Sequence, residues 1–182
     1  MVTLTDVDII QLLRKNNLNQ DTFQENVVEK LREMGLKVAT AESCTGGLIS
    51  ERITRVSGSS EVFDCGICSY ANEIKMKVLG VREDTLSILG AVSAETAIQM
   101  AEGVQKLSGA DIAVSTTGIA GPTGGTAEKP VGLVYMGVCT KEKAYAVKLM
   151  LGGVNAQNNR AYIRKLASDA ALFTVLSECH SL

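Results

Sequence analysis

Lys37-Val38-Ala39-Thr40-Ala41-Glu42-Ser43-Cys44-Thr45-Gly46-Gly47 is a short, mostly apolar run that breaks into a polar turn with paired glycines, and Leu48 to Val56 follows with helical spacing. Strand, turn, helix is the expected reading, because small and β-branched residues suit a buried strand and glycines permit a tight reversal. The same alternation recurs downstream. Val62 to Tyr70 reads as extended and Glu73 to Leu79 as helical. Ser93 can cap a helix through Leu107 that carries Ala97, Met100, Ala101 and Val104 on one face, and Asp111 to Ser115 reads as a short buried strand. Val131 to Cys139 and Ala144 to Leu151, separated by the charged turn Thr140 to Lys143, have the form of a β-hairpin, and Arg160 to Leu176 gives the last helix. The fold class is α/β, a three-layer α-β-α sandwich with a mixed, mainly parallel sheet.

Upstream, Thr22-Phe23-Gln24-Glu25 has capping-box spacing and predicts a helix to about Met34, with Gly35 as its stop. Val7, Ile10 and Leu13 recur at helical spacing before the polar run Asn16 to Gln20. Residues 1–20 are therefore expected to be an appended helix and connector, and residues 21–182 a single domain.

At 182 residues and 46% hydrophobic, the chain can bury one substantial core. Its 18 basic and 20 acidic residues nearly cancel and form no basic block, which argues against nucleic acid as a direct partner. Aromatics are sparse at 4% with no Trp, so stacking platforms for single strands are missing too. The amino terminus has no signal-peptide pattern and no run approaches the roughly 18 apolar residues of a membrane span. A cytoplasmic protein with a small-molecule site is expected. Five cysteines, an odd number set mostly in apolar segments, suit reduced thiols.

Three segments carry the chemistry. Ser43 stands at the strand-to-helix turn, where ligands gather in open α/β sheets and helix amides stabilise negative charge; it is either a nucleophile or a helix cap beside two packing glycines. Tyr70-Ala71-Asn72-Glu73-Ile74-Lys75 lies at a second such junction. Lys75 opposes the helix dipole there and, if buried, becomes a neutral base; otherwise it is a solvated surface lysine, and Tyr70 a core residue. The third segment, Thr116 to Thr126 running on to Lys129-Pro130, combines glycines and threonines that can cradle a phosphate or a planar carboxamide, but it has neither P-loop nor dinucleotide-fingerprint spacing. If the strands preceding these segments are parallel neighbours, Ser43, Tyr70 with Lys75, and Thr117 meet on one rim. Cys65-Gly66-Ile67-Cys68 has a C-x-x-C spacing inside an apparent strand, where its two thiols face opposite ways, so no metal site is expected. The single histidine, His180, lies in the terminal tail and leaves a Ser-His-Asp triad without a base.

Together, Ala41 to Gly47, Gly58-Ser59-Ser60, Tyr70 through Asn72 to Lys75, Gly90 to Ser93, and Thr117 to Pro122 with Lys129 to Gly132 resemble the CinA carboxy-terminal domain family, known in stand-alone form as nicotinamide-nucleotide amidase. The resemblance covers roughly Val27 to Leu176. It implies hydrolysis of nicotinamide mononucleotide (NMN) to nicotinic acid mononucleotide and ammonia in pyridine-nucleotide recycling, without metal or cofactor, by a homodimer. Ser43 falls on the family's serine, and Tyr70 and Lys75 on the tyrosine and lysine beside it. Either of these two can take the proton, and amides near Thr45 or Thr117 can hold the oxyanion. Glu42, Thr45, Gly46, Gly47, Asn72, Thr117, Gly118, Gly121, Gly124, Gly125 and Arg160 form the expected substrate-binding set. The chain departs from the family pattern at Gly152 to Asn159, at Cys65 and over the first 20 residues. The amino-terminal pyrophosphatase domain of full-length members, and its activity, are not expected. The alternative reading is a non-catalytic nucleotide-binding module, or a regulatory module tied to competence or DNA damage.

Overall fold

The computed structural model describes residues 1–153 and 159–180. Six strands form one sheet: β1 (Thr3–Thr5), β2 (Val38–Glu42), β3 (Phe63–Cys68), β4 (Ile112–Gly118), β5 (Leu133–Thr140) and β6 (Ala144–Met150), in the order β1-β6-β5-β4-β2-β3. The pairs β1/β6, β2/β3 and β2/β4 are parallel, and β4/β5 and β5/β6 antiparallel. The helices are α1 (Asp6–Lys15), α2 (Gln24–Met34), α3 (Leu48–Thr54), α4 (Asn72–Leu79), α5 (Glu83–Ile88), α6 (Ala94–Ser108) and α7 (Arg160–Cys179). This is the three-layer sandwich with a mixed sheet that the sequence pattern predicts. No helix among the described residues is long and apolar enough to cross a membrane.

Strand alternation divides the core between the two faces. Val38, Ile112 and Val114 point toward α1, α2, α3 and α7, where Leu31, Ile49, Ile163 and Leu172 complete the larger cluster. Ala39, Ala41 and Ala113 point the other way, toward Met100, Ala101 and Val104 of α6 and Leu79 of α4. Small residues let α6 lie hard against this second face. A Cβ on Gly137 would stand 2.1 Å from the Ala97 carbonyl oxygen, and one on Gly103 would stand 2.0 Å from that of Leu79. Ser93 caps α6 through the Thr96 amide, as its position predicts.

The amino-terminal segment does more than append a helix. Strand β1 pairs with β6 at the sheet edge, and Ile9 and Leu13 of α1 are core residues while Val7 is exposed. The capping box belongs to this helix, formed by Thr5 and Asp8. Thr22 makes none: the Thr22 and Phe23 amides donate to the Asn19 carbonyl, and Phe23 is the N-cap of α2 without a side-chain bond.

Helix α3 is tied to α7 by a buried charge. Arg52, 5% exposed, donates to the Asp169 carboxylate at 2.7 Å and to Gln24 Oε1 at 3.1 Å, with the Phe23 ring beneath its guanidinium. Breaking such a pair by removing one partner costs about 3–5 kcal/mol.

Candidate active site

Strand β2 ends at Glu42, and the next five residues form a crest over its carboxyl end. Gly46 (φ 60°) and Gly47 (φ 91°) are both left-handed, which is what allows the chain to reverse into α3 within so few residues. Glu42 is not at the crest. Fully buried, its carboxylate accepts from the Ile49 and Ser50 amides at 3.1 and 2.8 Å and from Ser50 Oγ at 2.7 Å, so it serves the first turn of α3. Thr45 is buried too, and its hydroxyl pairs with that of Thr116 at 2.7 Å. Neither lines the cleft beside Ser43.

Ser43 is half-buried at the cleft. Its amide donates to the Thr116 carbonyl at 2.9 Å, which docks the turn on the end of β4. Lys75, in the first turn of α4, is only 1% exposed. Its Nζ donates to Ser43 Oγ at 3.1 Å, to the Ser69 carbonyl at 2.7 Å and to the Tyr70 carbonyl at 3.3 Å, and it has no ion pair among the described residues. Burial without a carboxylate partner holds this amine below the ordinary lysine value. Burial, rather than the helix dipole, is the main cause.

The neighbouring Cys44 is the obvious competitor for the nucleophile's role. Its thiol is buried and pushed up to about 12, chiefly by desolvation, so it stays protonated and unreactive near neutrality. Its backbone is more useful. Among the described residues no backbone or side-chain oxygen accepts from the Cys44 N–H, which faces its own thiol sulfur and immediately follows Ser43 at the wall of the cleft.

Because β3, β2 and β4 are parallel neighbours, their three carboxyl-terminal loops meet in a cleft of about 200 Å³. Ser43, Tyr70, Lys75, Thr117 and Gly118 line it, together with Arg160 from the start of α7. Thr117 Oγ1 donates to the Ala91 carbonyl at 2.6 Å, so this hydroxyl fixes the cleft wall instead of facing into it. Gly118 is small because a Cβ would meet the Leu133 carbonyl oxygen at 2.6 Å. Arg160 spans the mouth, donating from Nη1 to the Gly121 carbonyl at 2.8 Å and from Nη2 to the Tyr70 hydroxyl at 3.2 Å. Tyr70 thus turns its carbonyl to Lys75 and its hydroxyl, on a 68% exposed ring, to Arg160.

Several expected binding residues lie elsewhere. Gly46 and Gly47 shape the turn without lining the cleft, and Asn72 is an exposed residue opening α4. Gly124 and Gly125 do not line the cleft: in their loop Lys129 Nζ donates to the Leu89 carbonyl at 2.7 Å, and the Thr126 amide donates to the Lys129 carbonyl. The departure at Gly152 to Asn159 falls largely on residues 154–158, outside the described residues. Sequence reasoning missed the Ser69 carbonyl and the wall residues Ala91, Val92 and Ala120. The signal for Ala91, Val92 and Ala120 was their place within the motifs Gly90 to Ser93 and Thr117 to Pro122.

Cys65 packs on the second core face while Cys68 is exposed, consistent with opposite-facing thiols, and all five cysteines are free. His180 Nδ1 contacts the Leu176 carbonyl at the end of α7.

Residues 20–179 match the family model for the CinA C-terminal domain. The chain belongs to this family. Curated relatives include a putative competence-damage inducible protein of Caldicellulosiruptor saccharolyticus, 55% identical over 155 residues that make up 85% of this chain and 36% of that protein. A CinA-like protein of Kosmotoga olearia is 55% identical over 145 residues, 79% of this chain and 35% of its own length. The chain thus spans about a third of the curated relatives it matches. Among solved structures, the competence/damage inducible protein CihA of Agrobacterium tumefaciens superposes with a TM-score of 0.82 at 40% identity, covering 87% of this chain and 94% of that one. A CinA superfamily protein of Klebsiella pneumoniae reaches 0.83 at 27% identity over 90% and 99% of the two chains. The family match over residues 20–179 takes in β2 to β6, α2 to α7 and the Ser43 cleft, and leaves β1 and α1 outside it.

Proposed function

We propose that this CinA C-terminal domain is an amidohydrolase that converts NMN to nicotinic acid mononucleotide and ammonia, with Ser43 as nucleophile. The observation that carries this reading is the buried Lys75 amine donating to Ser43 Oγ at 3.1 Å. A lysine depressed by burial and lacking a carboxylate partner can be neutral in the working pH range, and a neutral amine at hydrogen-bond distance activates a hydroxyl. The contact supports Lys75 as the proton acceptor. Tyr70 turns its hydroxyl toward Arg160, which fits a binding role better than a basic one.

Ser43 Oγ attacks the carboxamide carbon as its proton passes to Lys75. Charge developing on the carbonyl oxygen is stabilised by the Cys44 amide, which no protein oxygen engages among the described residues. Lys75 then returns the proton to the departing nitrogen, the C–N bond breaks, and ammonia leaves a nicotinoyl ester on Ser43. Water, deprotonated by the same amine, adds to the ester and releases the acid, which restores Ser43.

A cleft of about 200 Å³ is smaller than a whole-nucleotide site, which is typically roughly 300–1,000 Å³. It suits the carboxamide-bearing ring, with the ribose phosphate extending over the mouth to Arg160. The exposed Tyr70 ring offers a face to the cationic pyridinium there.

Purified protein and its Ser43→Ala variant are incubated with NMN under chelation while ammonia and nicotinic acid mononucleotide are followed together. Matched release that disappears in the variant supports the amidase. No release from folded wild type between pH 6 and 10 favours a non-catalytic nucleotide-binding module, and turnover surviving in Ser43→Ala removes the nucleophile.

A further inference from the structure

A second cavity, about 470 Å³ and roomier than the Ser43 cleft, is a groove between α3 and α7, where the Ser43 turn meets α7. Four cationic side chains line it, Arg52, Arg55, Arg164 and Lys165, in a chain whose net charge is -2. Three of them are compensated: Arg52 by Asp169 at 2.7 Å, Arg55 by Glu51 at 2.8 Å and Lys165 by Asp21 at 3.1 Å. Arg164 has no ion pair among the described residues. Its Nε and Nη2 both donate to the Thr45 carbonyl, and its Nη1 has no partner among the described residues. The groove therefore holds one uncompensated guanidinium, with apolar Leu48 and Ala161 beside it.

Guanidinium forks match phosphate oxygens in plane and in pairs, better than an ammonium does. The amino-terminal turn of the 20-residue α7, at Ala161, adds the positive end of its dipole. Leu48 and Ala161 can take the uncharged body of a ligand, and the volume lies in the usual range for small-molecule sites.

We propose that this groove binds a small phosphorylated molecule, its phosphate on Arg164 with Arg55 and Lys165 at the rim. The occupant shares Arg164 with the Thr45 carbonyl, two residues beyond Ser43, and so draws on the contact that steadies the catalytic turn. Gly46, 3.5 Å from Arg164 Nη2 at its Cβ position, and Gly47 are both left-handed glycines and leave that turn little stiffness of its own. Occupancy therefore lowers kcat without raising KM. The kinetic half rests on the amidase reading; the binding half does not.

Pyrophosphate is the probe, titrated calorimetrically into wild type, Arg164→Gln, Arg55→Gln and Arg160→Gln, each checked by circular dichroism. Wild type binds, Arg164→Gln and Arg55→Gln each weaken binding by about tenfold, and Arg160→Gln, which alters only the Ser43 cleft, leaves it unchanged. In turnover, pyrophosphate lowers kcat by about fivefold at constant KM. No binding to wild type, binding indifferent to Arg164 and Arg55, or loss in Arg160→Gln with a raised KM overturns the groove site. If wild type turns over no NMN, the amidase reading fails and calorimetry alone judges the groove.

Discussion

Replacing Lys75 with methionine separates the chemistry of this site from its architecture. The amine stands 3.1 Å from Ser43 Oγ, and loss of a general base so placed lowers kcat by about 10²–10⁴-fold. At the ordinary value of 10.5, only about one lysine in 3,000 is neutral at pH 7, and each unit of depression raises that fraction tenfold. Wild-type kcat therefore climbs about tenfold per pH unit along its acid limb and levels off below 10.5. Lys75→Met removes the limb along with the rate. Stability moves in a fixed sense as well. Because the folded-state pKa is depressed, the unfolded chain binds the proton more tightly between that value and 10.5. This lysine's contribution to stability thus rises with pH across that window, and its burial penalty is fully present below it. The difference in urea stability between pH 7 and pH 10 shrinks in Lys75→Met. Ammonia release from NMN between pH 6 and 10, with denaturation at both ends, is the assay. An unchanged acid limb in the variant refutes Lys75 as the base.

Three further outcomes follow from the geometry. Tyr70→Phe, which keeps the carbonyl at Lys75 but removes the hydroxyl that accepts from Arg160, raises KM for NMN while changing kcat by no more than about fivefold, as steady-state kinetics will show. Gly137→Ala drives a methyl group into the Ala97 carbonyl and lowers unfolding free energy by about 3 kcal/mol in urea titration, with far-ultraviolet circular dichroism retained. Glu42→Gln weakens three charge-assisted bonds at the start of α3 and costs about 1–2 kcal/mol in the same measurement, without altering the acid limb of kcat.

The parallel trio β3-β2-β4 and the meeting of its loops were legible in the sequence, because each strand is a compact apolar run followed by a turn and a helix start. What escaped was set by distant partners. Strand β1 has three residues, too few for a period, and is a strand because β6 lies beside it. Thr22 has a capping spacing, but Asn19 claims the amides around it. Glu42, beside Ser43 in sequence, looked like a ligand because nothing local reveals that its carboxylate turns back onto α3. Lys75 reads in isolation as one more surface lysine near Lys77, and only the packing of α4 under the Tyr70 loop buries it. Gly124 and Gly125 match Gly118 and Gly121 in type, and the Lys129 contact that fixes their loop is made 40 residues away in sequence.

The tie between α3 and α7 bears on when this protein comes to life. The Ser43 turn is made early in the chain, but Arg52 finds Asp169, and the Thr45 carbonyl finds Arg164, across 117 and 119 residues. The mouth of the cleft likewise waits for Arg160. During synthesis Ser43 and Lys75 leave the ribosome well before the helix that completes their surroundings. The site is therefore finished only as the last 20-residue helix docks, and a chain released before it carries Ser43 and Lys75 on an unbraced turn.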